Sequence, residues 1–278
     1  MSDAHKETIR SRIWREEPED DNPFAAAACF CHGYDVYSDV LGKAGWIEYL
    51  YLLFQGERPS REQARLLEDL AVGLANAGPR DHSVQAAMNG AVGGSHNAAC
   101  LMAALAVGAG QLGGAREVAL AMEVWAACGT DLEAWNSRLR NPPQEERADV
   151  WPAMEHPPGF DPHGASCATP VRQFLQHLAS ISPASTLGWL QMNRSALETI
   201  ADCPLTMTGV AAAAFHDLGL SPPQGEMLFL LLRLPGAAAH ALEQKEFGFR
   251  HFPFYRHAIH LENDPGPYQE PHPEQSAS

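Results

Sequence analysis

Apolar residues in this chain return every three or four positions in one segment after another, and they almost nowhere alternate strictly. Trp46, Ile47, Leu50, Tyr51, Leu53 and Phe54 keep that spacing up to Gly56, as a helix with a buried face requires. Ser60 followed by Gln63 is a capping-box pattern, and Leu66, Leu67, Leu70 and Leu74 carry the helix on to the Gly78-Pro79 stop. The same spacing predicts helices over 81–92, 98–109, 115–127 and 131–139, and others beginning near Pro170, Asn193, Leu205, Pro222 and Pro235. Proline suits such openings because its missing N–H would have had no partner in a first turn. No stretch alternates convincingly, so the expected fold class is all-α. Alanine-rich runs such as TGVAAAAFHDLG allow close approach of helices and predict a tightly stacked core.

Charge excludes several function classes. Nineteen Lys and Arg against 34 Asp and Glu leave a formal charge of -15, which repels nucleic acid and anionic membrane surfaces. Lys245, Arg250 and Arg256 are close enough in sequence to form a local basic cluster for a small anion. The least polar stretch, AACLMAALAVGAGQLGGA from Ala98, is broken by glycines and reads as a core helix rather than a membrane span. MSDAHKETIRSRIW lacks an apolar signal-peptide core, and six scattered cysteines suit reduced thiols; a cytoplasmic protein without disulfides is expected. Residues 1–24 are polar and read as an irregular arm, and 263–278 as a mobile Pro-rich tail.

Chemistry-bearing residues concentrate in PPGFDPHGASCATP, which holds Asp161, His163 and Cys167 just after His156. All four types bind zinc, but their spacing fits no standard ligand set, and no metal site is assigned. Cys29 and Cys31 read as packed thiols, and no base partner can be named for Cys167 as a nucleophile. Arg233 is a lone cation in the apolar run LFLLLRLPG and needs an anionic partner if buried. That partner is either Glu226, Glu243 or Glu246, or the carboxylate of a ligand. His240 and Glu243 share a helix face and read as structural.

Several of these pieces, in order, match one pattern. HGYDVYSDVLGKAGWIEYLYLLFQGERPSREQ resembles the early G-Y-D segment of the citrate synthase family, and Asp81-His82 its D-H-G element. AGQLGGA resembles the family's G-P-L-H-G-G-A, and PPGFDPHG its P-G-F-G-H-R. LTMTGVAAAAFHDLGLSPPQGEMLFLLLRLPGAAAHALEQ resembles its N-V-D and R-x-x-G-x-x-A-H-x-x-E helices, with Thr208, Gly219, Arg233, Gly236, His240 and Glu243 in register. The likeness spans Gly33 to about Arg256, and the compact length is similar to citryl-CoA lyase modules, including the lyase end of ATP citrate lyase.

The resemblance implies a large helical domain (25–114 with 219–262), a smaller one (115–218), a cleft between them and a homodimer. It also implies binding of an acyl-CoA, as substrate or ligand rather than cofactor, beside a di- or tricarboxylate, with C–C lyase or acyltransferase chemistry. Such chemistry needs a base, an acid and donors for a developing enolate. At the corresponding positions the N-V-D aspartate becomes Thr208, the G-P-L-H histidine Leu112, the G-F-G-H histidine Pro162 and the D-P-R arginine Val171. Asp161 and His163, flanking Pro162, are the catalytic candidates; His82, Arg233, Arg250 and Arg256 are the candidates for holding substrate. An enzyme of this mechanism needs a carboxylate reaching Thr208 in place of the missing base, and Asp161 and Asp202 are the candidates for it. The alternative is a non-catalytic homologue that senses a ligand or serves as a partner subunit.

Overall fold

A small antiparallel sheet precedes a run of packed helices. The computed structural model describes residues 9–142, 156–182 and 185–252; Arg256 and the 263–278 segment lie outside them. Strands β1 (Trp14–Pro18), β2 (Ala26–Cys31) and β3 (Tyr34–Asp35) lie in the order β1-β2-β3, with Trp14 opposite Cys31 and Cys31 opposite Tyr34. This corrects the expectation of an irregular arm without strands. Every residue of β1 is exposed, so no apolar face marks WREEP as a strand. Backbone pairing holds it instead, together with the Arg15 guanidinium 3.9 Å over the Phe30 ring. His32 (φ 48°) and Gly33 (φ 88°) form the tight β2–β3 turn, where two left-handed residues match the strand twist.

After one π-helical turn at Val36–Val40, α1 (Trp46–Gln55) ends on Gly56 at φ 78°. Helix α2 (Arg61–Leu74) opens with the capping box: Gln63 N donates to Ser60 Oγ at 3.1 Å and Ser60 N to Gln63 Oε1 at 2.9 Å. Then come α3 (His82–Val92), α4 (Asn97–Gly108), α5 (Ala115–Cys128), α6 (Leu132–Arg140) and α7 (Thr169–Ile181). Helix α8 runs Thr186–Ala201, seven residues earlier than the Asn193 start expected. Its opening is capped mainly from afar, because Asp217 accepts Thr186 N at 2.9 Å and Leu187 N at 3.0 Å.

Helix α9 (Met207–Asp217) is followed by α10 (Pro222–Phe247), which passes through Pro235 without ending. The helix expected to begin at Pro235 is therefore the second half of α10. Proline removes one rung of the ladder, and Gly236 N turns to Ala75 O at 2.7 Å, so packing on the end of α2 replaces what the helix loses.

Helix α5 lies against both α9 and α10, and most of its length is buried, including Val118, Met122 and Trp125. Thr208 through Phe215 of α9 are all buried, as the run of alanines predicts. The main core is continuous through α1, α2 and α5–α10. A second cluster of Val84, Ala87, Cys100, Ala104, Ala237 and Ala241 joins α3, α4 and α10.

Candidate functional site

Glu117, in the first turn of α5, is only 1% exposed, and segments far apart in sequence converge on it. Its Oε1 accepts Gly159 N at 2.8 Å and Thr208 Oγ1 at 2.9 Å, and its Oε2 accepts Gly113 N at 2.5 Å. These three donors come from the loop before α5, the loop before α7 and the first turn of α9. An ionised carboxylate only accepts, which matches a ring of donors.

The network continues in two directions. Thr208 Oγ1 lies 2.6 Å from Thr206 Oγ1, the half-buried cap of α9. On the other side Gly113 O accepts Arg233 Nη1 at 3.4 Å, and Arg233 Nη2 pairs with Asp81 Oδ2. Asp81 also caps α3, accepting Ser83 N at 3.0 Å and Val84 N at 3.3 Å. Burial works to raise the Asp81 pKa, but the Ser83 hydroxyl and the Arg233 guanidinium outweigh it and hold the carboxyl below its ordinary value. The D-H, GQLGGA, PPGF, LTMT and LLLRLPG stretches are thus joined by hydrogen bonds.

Close backbone approach makes this possible. Gly159 (φ 89°) and Gly209 face each other so tightly that a Cβ on Gly209 would sit 2.5 Å from Gly159 O. Thr206 N donates to Gly159 O at 3.0 Å and Asp161 N to Pro204 O at 2.8 Å, which ties the loop before α7 to the entry of α9.

The individual candidates fall as follows. Asp161 Oδ1 accepts His163 N at 2.8 Å within its own turn, and His163 is exposed. Asp202 is an exposed C-cap of α8 at φ 52°. The carboxylate bonded to Thr208 is neither of these but Glu117. His82 is exposed on the first turn of α3, and Arg250 is exposed in a 3-10 turn at Phe249–His251. Arg233 has a protein partner, but it is Asp81 rather than a glutamate: Glu226 lies 3.9 Å from Arg116 and Glu243 3.3 Å from His240. With its side chain 11% exposed and 4.9 Å over the Phe229 ring, the guanidinium is enclosed. Cys167 is buried, and burial followed by the Glu198 charge raises its thiol pKa, which disfavours a thiolate. Among the described residues, no group of three or more His, Cys, Asp or Glu side chains converges as metal ligands would.

An open groove of about 390 Å³ between α2 and α7 reaches Met207, next to Thr208; Asp69, Val72, Phe174 and His177 line it. Glu117 itself had one sequence signal. It shares an i, i+4 stripe with the apolar Ala121 and Trp125, where a carboxylate must be buried unless the helix face is wet.

No protein-family model matches the chain, and no curated protein matches it. Solved structures do. The citryl-CoA lyase of Hydrogenobacter thermophilus superposes with a TM-score of 0.68 at 17% identity, covering 95% of this chain and 98% of that one. The ATP citrate lyase of Methanothrix soehngenii, solved with citrate and coenzyme A, gives 0.68 at 20% identity over 98% of this chain and 43% of that one. The ATP citrate lyase of Methanosaeta concilii, solved with (3S)-citryl-CoA, gives 0.69 at 18% over 92% and 42%. The chain thus spans well under half of the ATP citrate lyases and nearly all of the citryl-CoA lyase. Its helices, in their order and packing, have the citrate synthase-like fold of citryl-CoA lyases.

Proposed function

We propose that the chain binds a coenzyme A thioester and a di- or tricarboxylic acid around the Glu117 network, with cleavage or formation of the C–C bond beside the thioester as its reaction class. One observation carries this reading: the stretches that resemble the citrate synthase site motifs are hydrogen-bonded to one another at Glu117, Gly113 and Arg233. The citrate, coenzyme A and (3S)-citryl-CoA held by the neighbouring structures supply the chemical classes. Calorimetric titration with coenzyme A, acetyl-CoA and citrate, followed by an assay of acetyl-CoA release from citryl-CoA, tests it. Absence of binding by all of them at millimolar concentration removes the reading.

A second reading, ligand binding without turnover, is favoured by the chemistry of Thr208 and Pro162, neither of which transfers protons near neutral pH. Binding without acetyl-CoA release selects it. Two chains form the working unit on either reading. Helices α4 and α10 pack together and expose Met102, Val107, Met227, Leu231 and Leu242, apolar surface suited to a second copy. A cytoplasmic setting goes with this function; among the described residues no helix is long and apolar enough to cross a membrane.

A further inference from the structure

We propose that the groove between α2 and α7 is a binding site for a primary amine carried on a small apolar body, with Asp69 receiving the ammonium group. Asp69 and His177 take no part in the Glu117 network, so this site stands apart from the acyl-CoA reading. Two donors meet one oxygen of Asp69: Arg65 Nε donates to Oδ2 at 2.8 Å and His177 Nε2 to the same atom at 2.7 Å. Burial works to raise the Asp69 pKa, but the hydrogen bonds from His177 and Arg65 outweigh it and hold the carboxyl below its ordinary value. An ionised carboxylate only accepts, so the imidazole proton sits on Nε2 and is already used. Asp69 Oδ1 has no partner among the described residues. The Asp69 side chain, 14% exposed, lines the groove, whereas that of Arg65, 61% exposed, does not. A ligand there meets an anionic acceptor with lone pairs to spare.

The remaining surface of the groove is mostly apolar. Val72, Phe174 and Met207 line it, and its volume of about 390 Å³ is in the range of small-molecule sites. Gly73 fixes its floor: a glycine inside a helix costs stability, but here it lets the Phe174 ring lie against α2, where a Cβ would collide with it. An apolar body resting on Phe174 and Met207 places its charged end at Asp69. An ammonium gains a charge-assisted hydrogen bond there, a hydroxyl donates without the charge attraction, and a carboxylate is repelled. The formal charge of -15 on the whole chain acts in the same direction.

Three probes with one phenyl ring separate these cases: phenethylamine, 2-phenylethanol and 3-phenylpropanoate, titrated calorimetrically at millimolar concentration. Wild type is expected to bind the amine about tenfold more tightly than the alcohol, and the acid not at all. Asp69→Asn brings the amine to the affinity of the alcohol. Val72→Lys changes a residue 74% exposed and three positions from Asp69, so it sets a competing ammonium on the same helix face and removes the advantage of the amine. Thermal transitions by circular dichroism check the fold, and if Asp69→Asn fails to fold, Val72→Lys carries the test alone. Equal affinities for amine and alcohol in wild type, tighter binding of the acid, an amine preference that survives in a folded variant, or binding of none of the three overturns the inference. None of these outcomes touches the acyl-CoA reading, which citrate and coenzyme A test.

Discussion

Thr208 Oγ1 donates to Glu117 Oε1 across 2.9 Å, so the buried head of α9 is held by a carboxylate 91 positions earlier in the chain. A carboxylate in such a place is expensive to desolvate, and only its donors make it tolerable. Glu117→Ala leaves three donors without their acceptor. The expected loss of stability is about 3–5 kcal/mol. Thr208→Val removes one donor and its need together, so it should cost less, and a double-mutant cycle by urea unfolding should give a coupling of about 0.5–3 kcal/mol. Additive losses would mean that the two side chains do not act as a pair.

Gly209→Ala should disturb the same region through the backbone. The new methyl would meet Gly159 O at 2.5 Å and Leu205 Cδ1 at 2.8 Å, so α9 must shift. Overpacking of this kind costs about 1–3 kcal/mol. Gly159→Ala should be worse, because it adds a side chain at φ 89° to the same clash. Denaturant midpoints of the two variants decide the order.

Arg233→Ala separates protein architecture from ligand capture. The Asp81 and Arg233 side chains are 21% and 11% exposed, and removing one partner of so enclosed a pair costs about 3–5 kcal/mol. Loss of stability of that size, read by thermal unfolding, is the expected outcome. A variant as stable as wild type that binds citrate at least tenfold more weakly would assign the guanidinium to the ligand instead.

Asp81 should also contribute to acid sensitivity. Its folded-state pKa lies below the usual carboxylate value, so the stabilisation is fully present above the unfolded pKa and is lost as pH falls through the folded one. Wild type should therefore lose stability below about pH 4 more steeply than Asp81→Asn, in which the titrating group is gone. Parallel acid-unfolding curves for the two proteins would contradict this.

Sedimentation of the full chain should give twice the chain mass at micromolar concentration. Met102→Lys with Leu231→Lys places charge on exposed side chains of α4 and α10 and should yield a folded monomer. A wild-type monomer would leave those apolar residues unexplained by self-association.

Much of the helical framework is legible from local chemistry. Ser60 with Gln63 announces α2, Gly56 ends α1, and the alanines of α9 predict its burial, because each signal acts within a turn or two of its own position. What is illegible depends on distant partners. The cap of α8 comes from Asp217, the continuity of α10 through Pro235 depends on Ala75 O, and β1 pairs through backbone that carries no side-chain pattern. The site divides in the same way. The stretches that build it are readable as motifs, yet the candidate carboxylates for Thr208 in the sequence are Asp161 and Asp202. Glu117 takes that place because the first turn of α5 meets the loop before it, the loop before α7 and the first turn of α9, a relation that spacing along the chain does not encode.

Gly113 meets Glu117 through its N–H and Arg233 through its C=O, at a φ of 70°. Within Gly113 only its φ and ψ lie between the atom that meets the buried carboxylate and the atom that meets the enclosed guanidinium. Gly113 is thus the one backbone unit that the carboxylate of Glu117 and the guanidinium of Arg233 share, and it holds the left-handed backbone that glycine adopts without steric cost.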